Sequence, residues 1–190
     1  LVWNWYAGME GGKALAEVLF GKVNPSGRLP ESFPFSHMDC PAHCIGEFPG
    51  GKTVAYREGI FVGYRYYETR QMPVAFPFGY GLSYTEFSYE RLKARVKGNG
   101  NGAKVQVTLG VVNTGAMKGK EVVQLYVGRK NSGEARPIRE LKAFDKISLK
   151  PGEIKNLEFM LDVEAFSYYD EKEKEFRVEK GAYIISVCRS

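Results

Sequence analysis

This 190-residue sequence predicts a mainly β protein whose largest part is a two-sheet sandwich. Three observations carry that expectation. After Thr85 apolar residues alternate with polar ones, as Val105, Val107, Leu109 and Val111 do with Lys104, Gln106, Thr108 and Gly110. Period two is the pattern of a strand with one buried face. Turn sequences separate the alternating runs: GNGNG at 98–102, NTG at 113–115, PG at 151–152 and EKG at 179–181. About seven strands in roughly 105 residues have the number, spacing and size of an immunoglobulin-like sandwich, and without an antibody-type cysteine pair the fibronectin type III-like form is preferred.

Ahead of the sandwich the chain reads differently. Residues 1–6, LVWNWY, are a short apolar and aromatic run of strand-like composition. The turn Ala7-Gly8-Met9 leads into a helix predicted over 10–20, with Ala14, Leu15, Val18 and Leu19 on one apolar face. Glu10 suits the positive end of the helix dipole, Gly21 supplies a left-handed cap, and Pro25 prevents the helix from restarting. One strand and one amphipathic helix cannot bury each other, because an α/β layer is stable only when several strands and helices share a core. Residues 1–35 are therefore expected to be the C-terminal remnant of a larger α/β domain lying upstream. The opening at Leu1, without methionine or a leader pattern, fits that expectation.

Residues 36–84 are expected to be a connector. Prolines, glycines and aromatics dominate this stretch, and only GIFVGYRYYE (59–68) reads as extended. It is too aromatic for a free linker and should lie packed along other surfaces. Residues 85–190 hold the sandwich, with strand patterns in FSYERLKARV, around Val105–Val111, and in EVVQLYVG, IRELKAFDKISL, NLEFML and AYIISV.

Composition narrows the function classes. The net charge of +5 comes from lysines and arginines scattered among nearly as many acids, a mixed solvated surface that argues against a nucleic-acid partner. No apolar window reaches the length of a membrane helix. The three cysteines form no disulfide framework and fit a reducing compartment, with the cytoplasm favoured.

Candidate chemistry is sparse. HMDCPAHC (37–44) gathers His37, Cys40, His43 and Cys44, four possible zinc ligands. Adjacent His43 and Cys44 are poorly placed to share an ion with Cys40, and Pro41 stiffens the span, so the reading is a surface loop and no metal. Cys40 or Cys44 with His43 makes a poor nucleophile and base, because sequence neighbours rarely face each other. Gly8, Gly11 and Gly12 match no phosphate-loop spacing, and Cys188 reads as an apolar filler. The carboxylates of 170–175 read as a solvated hairpin end. Glu58 lies among aromatics and is expected to pair with Arg57 or Arg65. Tyr64, Tyr66, Tyr67, Tyr80 and Tyr84 could stack on sugars in a stand-alone binding module or seal an interdomain interface. The interface is the preferred reading.

Several strings, in order, resemble the C-terminal end of family 3 glycoside hydrolases, above all the β-glucosidases that carry a fibronectin type III-like domain. They are GMEGGKALAEVLFGKVNPSGRLPESFP, YREGIFVGYRYYE, FPFGYGLSYTEFSY, NTGAMKGKEVVQLYV, RPIRELKAFDKISLKPGE and EKGAYIISV. The resemblance implies a (β/α)₈ barrel, an α/β sandwich and then the fibronectin-like domain, retaining hydrolysis of terminal β-D-glucosyl residues by two carboxylates, and no cofactor. It implies that residues 1–35 end the α/β sandwich. It also implies that both catalytic carboxylates belong outside this sequence, since Asp39, Asp145, Asp162 and Asp170 lack the nucleophile's serine-aspartate-aromatic setting. Glu10 and Glu58 match positions that look structural, and Ala7 and Met9 replace the family's proline and glutamine. The resemblance thus assigns no catalytic residue here, places β-glucoside partners on the missing domains, and leaves HMDCPAHC in a variable stretch.

Overall fold

The computed structural model describes residues 2–190 and carries eight strands and three short α-helices. Strands β1 (Phe87–Lys97), β2 (Lys104–Asn113) and β5 (Ile154–Leu161) form one antiparallel sheet in the order β1-β2-β5. Strands β3 (Gly119–Arg129), β4 (Glu140–Leu149) and β8 (Tyr183–Cys188) form the facing sheet in the order β4-β3-β8. A separate two-stranded ribbon, β6 (Ser167–Asp170) and β7 (Glu175–Val178), surrounds the acidic hairpin at 170–175.

The alternation read from the sequence points inward as expected. Val107, Leu109 and Val111 of β2 meet Val123, Leu125 and Val127 of β3 across the sandwich, with Ile147, Leu149, Leu157 and Leu161 completing two adjoining apolar clusters. All ten are buried, so this is the core. Tyr183 opens β8 and its hydroxyl donates to the Glu179 carbonyl at 2.8 Å and the Phe166 carbonyl at 3.2 Å, the tyrosine corner of immunoglobulin-like sandwiches. Asn113 ends β2 fully buried; its amide donates to the carbonyls of Met117 and Leu149, and its oxygen accepts from the Thr85 hydroxyl and the Gly115 N–H. The NTG signal therefore marks a turn built around one side chain.

The N-terminal part departs from expectation in two places. Among residues 2–6 of the expected strand there is no strand, and Leu1 lies outside the described residues. A strand needs a neighbour to satisfy its backbone, and no extended segment lies beside this one. Instead Trp3 stacks edge-on against Trp5 and Phe33. The second departure is the run at 59–68, which is not extended. Gly63, at φ +54, turns the chain into helix α3 (Tyr64–Thr69), and the 64, 67, 68 spacing then puts Tyr64, Tyr67 and Glu68 on one helical face.

Helix α1 (Gly11–Leu19) matches the amphipathic prediction, with Gly21 at φ +71 ending it. None of its residues is buried. Of its apolar stripe Leu15 and Val18 are half-buried, while Ala14 and Leu19, like Trp3, Trp5, Tyr6, Met9 and Phe20, are exposed.

The segment after α1 runs back over the sandwich beside residues 75–85. Leu29 N–H donates to the Tyr80 carbonyl, Gly79 N–H to the Leu29 carbonyl, and Phe33 pairs with Phe76. Gly81 approaches the Gly27 carbonyl so closely that any Cβ there would collide with it. At the centre of this layer Arg28 reaches Glu121 of β3 at 3.0 Å, and the Tyr89 hydroxyl donates to the other carboxylate oxygen at 3.2 Å. Both charged side chains are removed from water, Glu121 completely.

Two stability predictions follow from this packing. Glu121→Leu leaves Arg28 buried without its counter-charge and should cost about 3–5 kcal/mol, whereas Arg28→Met with Glu121→Leu should recover much of that loss. Urea unfolding of the two single variants and the double variant measures the coupling, and additive losses would refute it. Leu125→Ala should cost about 2–5 kcal/mol by opening the core, while Phe144→Ala, on the exposed side of β4, should stay within about 0.5 kcal/mol.

Candidate functional site: the seam between connector and sandwich

The sequence candidates for chemistry do not converge. In the 37–44 stretch, residues His37–Asp39 form a 3₁₀ turn capped reciprocally by Ser36 and Asp39, and Cys40 then caps helix α2 (Pro41–Cys44). The His37 and His43 rings meet edge-on at 5.3 Å, His43 lies against Phe48, and the Cys44 thiol donates to the Met38 carbonyl. Among the described residues no three histidine, cysteine or acidic side chains come together in a way that could hold a metal ion. Burial pushes the Tyr67 hydroxyl above the ordinary tyrosine range, helped by its hydrogen bond with Cys40, and a hydrogen bond with Cys44 does the same for Tyr66.

The carboxylates have local duties. Asp39 accepts from the Ser36 N–H at 3.1 Å and Asp162 from the Ala165 N–H at 3.3 Å. Asp170 is held below the usual carboxylate range by the Glu173 and Lys172 N–H groups and by Arg177, and Asp145 stands exposed on β4. Glu10 sits at the N-cap of α1 without accepting a capping hydrogen bond. Gly8 accepts from the Gly11 N–H in the turn before α1, and a Cβ on Gly11 would strike Ala7, whereas Gly8 and Gly12 face open space.

Glu58 requires a correction. It has no ion pair with Arg57, which bonds Glu47 at 2.8 Å instead, nor is one formed with Arg65. One Glu58 oxygen is closed off from solvent with no hydrogen-bond donor in reach. Sequence adjacency suggested the partner, but in the turn closed by the Gly59 N–H on the Tyr56 carbonyl Arg57 pairs with Glu47.

What the connector does assemble is a polar and aromatic seam on the outer face of β3 and β4. The Tyr64 hydroxyl accepts from the Leu141 N–H at 2.8 Å, and its ring meets Tyr126 edge-on at 5.7 Å and Phe78 at 5.2 Å. Glu68 takes a bidentate fork from Arg139, both bonds 2.6 Å, and the same guanidinium lies 4.4 Å from the centre of the Tyr126 ring. The Glu68 carboxylate holds Arg139 firmly charged. Arg139 also donates to the Cys188 sulfur at 3.5 Å, so this cysteine is a node of the seam as well as a filler. Thr69 accepts from the Ile138 N–H, and Gln124 donates to the Arg189 carbonyl.

Of the five tyrosines considered for sugar stacking, Tyr67 is buried, Tyr64 is engaged in the seam, Tyr66 packs on Tyr67, and Tyr80 packs on Phe76. Only Tyr84 is exposed, and its hydroxyl is tied to the Val18 carbonyl. The arrangement clamps one layer to another, and it brings no nucleophile to a base. Sequence reasoning missed Arg28, Glu121, Glu68 and Arg139. The signal available was a glutamate in the otherwise apolar run of EVVQLYV.

Comparison with known proteins agrees with this anatomy. Residues 1–84 match the glycosyl hydrolase family 3 C-terminal domain and residues 121–190 the fibronectin type III-like domain. Thermostable beta-glucosidase B of Acetivibrio thermocellus is 47% identical over 94% of this chain and 24% of its own length. An exo-alpha-(1->6)-L-arabinopyranosidase of Bifidobacterium breve is 45% identical over 98% of this chain and 24% of its own. The crystal structure of a Bifidobacterium adolescentis GH3 beta-glucosidase superposes with a TM-score of 0.89 at 43% identity, covering 98% of this chain and 27% of that one. The chain therefore spans about a quarter of the length of the relatives it matches. It belongs to glycoside hydrolase family 3, of which it carries the C-terminal domain sequence and the fibronectin type III-like domain.

Proposed function

We propose that this chain is the non-catalytic C-terminal portion of a retaining β-glucosidase and that its task is domain packing. The observation that carries the reading is the asymmetry of its surface. Residues 85–190 bury a complete apolar core, while residues 1–35 present α1, Trp3, Trp5, Tyr6, Met9 and Phe20 to the outside. Contiguous apolar surface of that kind marks a contact with other protein. In this reading residues 1–35 close an α/β sandwich domain, residues 36–84 are the connector, and residues 85–190 are a buttress. The seam fixes the connector to the buttress, so whatever α1 docks on is held at a set distance from the sandwich.

Catalysis by this family's chemistry needs two carboxylates about 5–5.5 Å apart on either side of the scissile bond. Asp39, Asp162 and Asp170 act as caps and turn acceptors and Asp145 stands exposed on β4, which supports placing that pair on other domains. The sugar is set elsewhere too. A relative named for an arabinopyranosidase resembles this region as closely as one named for a β-glucosidase, so these residues do not discriminate between the two substrates.

The test is an assay of the purified chain with 4-nitrophenyl β-D-glucopyranoside. No turnover above buffer is expected, whereas the longer protein containing the same residues should release nitrophenol. Turnover by residues 1–190 alone would overturn the proposal. In the longer protein, Trp3→Ala with Trp5→Ala should lower the thermal midpoint by several degrees, the scale of about 1–3 kcal/mol from lost aromatic burial. An unchanged midpoint would show that this face is not a packing surface.

A further inference from the structure

The hairpin that joins β1 to β2 ends in GNGNG (98–102), a turn signal whose residues also carry chemistry. The ladder between the two strands closes at Lys97 and Lys104, which stand opposite each other. Asn99 and Gly100 lie beyond that pair, outside both strands. Asn99 is exposed and extended, at φ −145 and ψ 166, and precedes the 3₁₀ turn Gly100–Gly102. Among the described residues its side chain makes no capping hydrogen bond to that turn. Gly100 has φ +57, and nothing lies within 4 Å of the place where its Cβ would stand.

Asparagine is a thermolabile residue, because the backbone nitrogen that follows it reaches the side-chain carbonyl carbon by closing a five-membered ring. A glycine in the next position leaves that approach open, having no Cβ to crowd its own nitrogen. The asparagines elsewhere are placed against the reaction. Asn24 precedes Pro25, which has no N–H to attack with, and its carboxamide is bonded to Lys118, Ser83 and Tyr84. Asn113 is fully buried with both ends of its carboxamide engaged. Asn156 lies inside β5 ahead of Leu157, and Asn4 and Asn131 precede Trp5 and Ser132, whose side chains flank the attacking nitrogen. Asn101 shares the favourable sequence, since Gly102 follows it.

We propose that Asn99 is a modification site in the folded chain, converted through a succinimide with Gly100 into aspartate and isoaspartate. The Gly100 nitrogen attacks Asn99 Cγ, the N–Cγ bond forms, the Cγ–Nδ2 bond breaks, and ammonia leaves with the Gly100 proton. One water then opens the ring at either carbonyl. No electrons are gained or lost: a neutral carboxamide and water become a carboxylate and ammonium. Turning Asn99 from its extended ψ to bring the nitrogen onto Cγ breaks no ladder hydrogen bond, because the ladder ends at Lys97 and Lys104. The same two lysines suit the charge that develops. Nearby cations favour the anion formed when the attacking nitrogen loses its proton, and a new carboxylate joins a like-charged cross-strand pair that is otherwise unfavourable. The reaction involves only the tip of this hairpin.

The purified 190-residue chain is held at mildly acidic and at mildly alkaline pH and digested with trypsin, which releases residues 98–104 as one peptide. A gain of one mass unit at Asn99, located by fragmentation, is expected, faster at the alkaline pH because the attacking nitrogen must be deprotonated. An isoaspartate-specific methyltransferase should label the same residue. Gly100→Ala should slow the gain severalfold. Asn99→Gln, whose ring would need a sixth member, should abolish it at this position with the thermal midpoint unchanged. In guanidinium the unfolded chain should convert at Asn99 within a few-fold of the native rate, which isolates the effect of the fold. A native rate an order of magnitude below the unfolded one would overturn the proposal by showing that the turn protects Asn99. A mass gain confined to Asn101, or none in the peptide, would overturn it as well.

Discussion

Everything in the relation between connector and sandwich depends on the buried charge of Glu121. A carboxylate with no solvent contact in the middle of a β-sheet is tolerable only when a counter-charge and hydrogen-bond donors reach it, because the cost of stripping its water is several kcal/mol. The sandwich itself supplies the Tyr89 hydroxyl, and the full positive charge comes from Arg28, 93 positions earlier in the chain. The segment that bears Arg28 must therefore lie on β3 whenever the sandwich is folded. Two stretches of different pattern, one made of turns and prolines and one of alternating strands, become a single mechanical unit through that requirement.

Strand β3 shows what the requirement does to packing. Its inward residues Val123, Leu125 and Val127 belong to the core, and its outward residues Gln124, Tyr126 and Gly128 are buried as well. One face is covered by the opposing sheet, the other by the connector and its neighbours. A strand closed on both faces can carry polar side chains only if each is satisfied, and the seam meets that condition. Gln124 bonds Tyr126 and the Arg189 carbonyl, and Arg139 lies over the Tyr126 ring while Glu68 neutralises it. The connector's tyrosines are spent on this work, which leaves few of them to meet a ligand.

The two ends of the molecule consequently have different characters. The sandwich end buries two adjoining apolar clusters between its facing sheets. The α1 end is held in place by hydrogen bonds such as those of Asn24 to Lys118 and Tyr84, but none of its apolar stripe is fully buried. A helix whose stripe faces water gains little from tertiary burial, and burial rather than propensity stabilises most protein helices.

The sequence by itself determined the sandwich strands, helix α1 with its glycine stop, the glycine-marked turns between strands, and the expectation that residues 1–35 lack partners. These are legible because strand alternation, helical periodicity and turn chemistry are local, each written within a window of a few residues. The tertiary structure alone decided that 64–69 coils into a helix, that residues 2–6 form no strand, and that Glu58 stands apart from Arg57. Aromatic runs such as YRYY satisfy a strand and a one-sided helix equally well in composition, and the choice fell to the surface beside β3 and β4 that Tyr64 and Glu68 meet together. Ion pairing was decided at the same level. Charge partners are chosen by distance in space, and Arg28 finds Glu121, as Arg139 finds Glu68, only after the layers that carry them have been brought together.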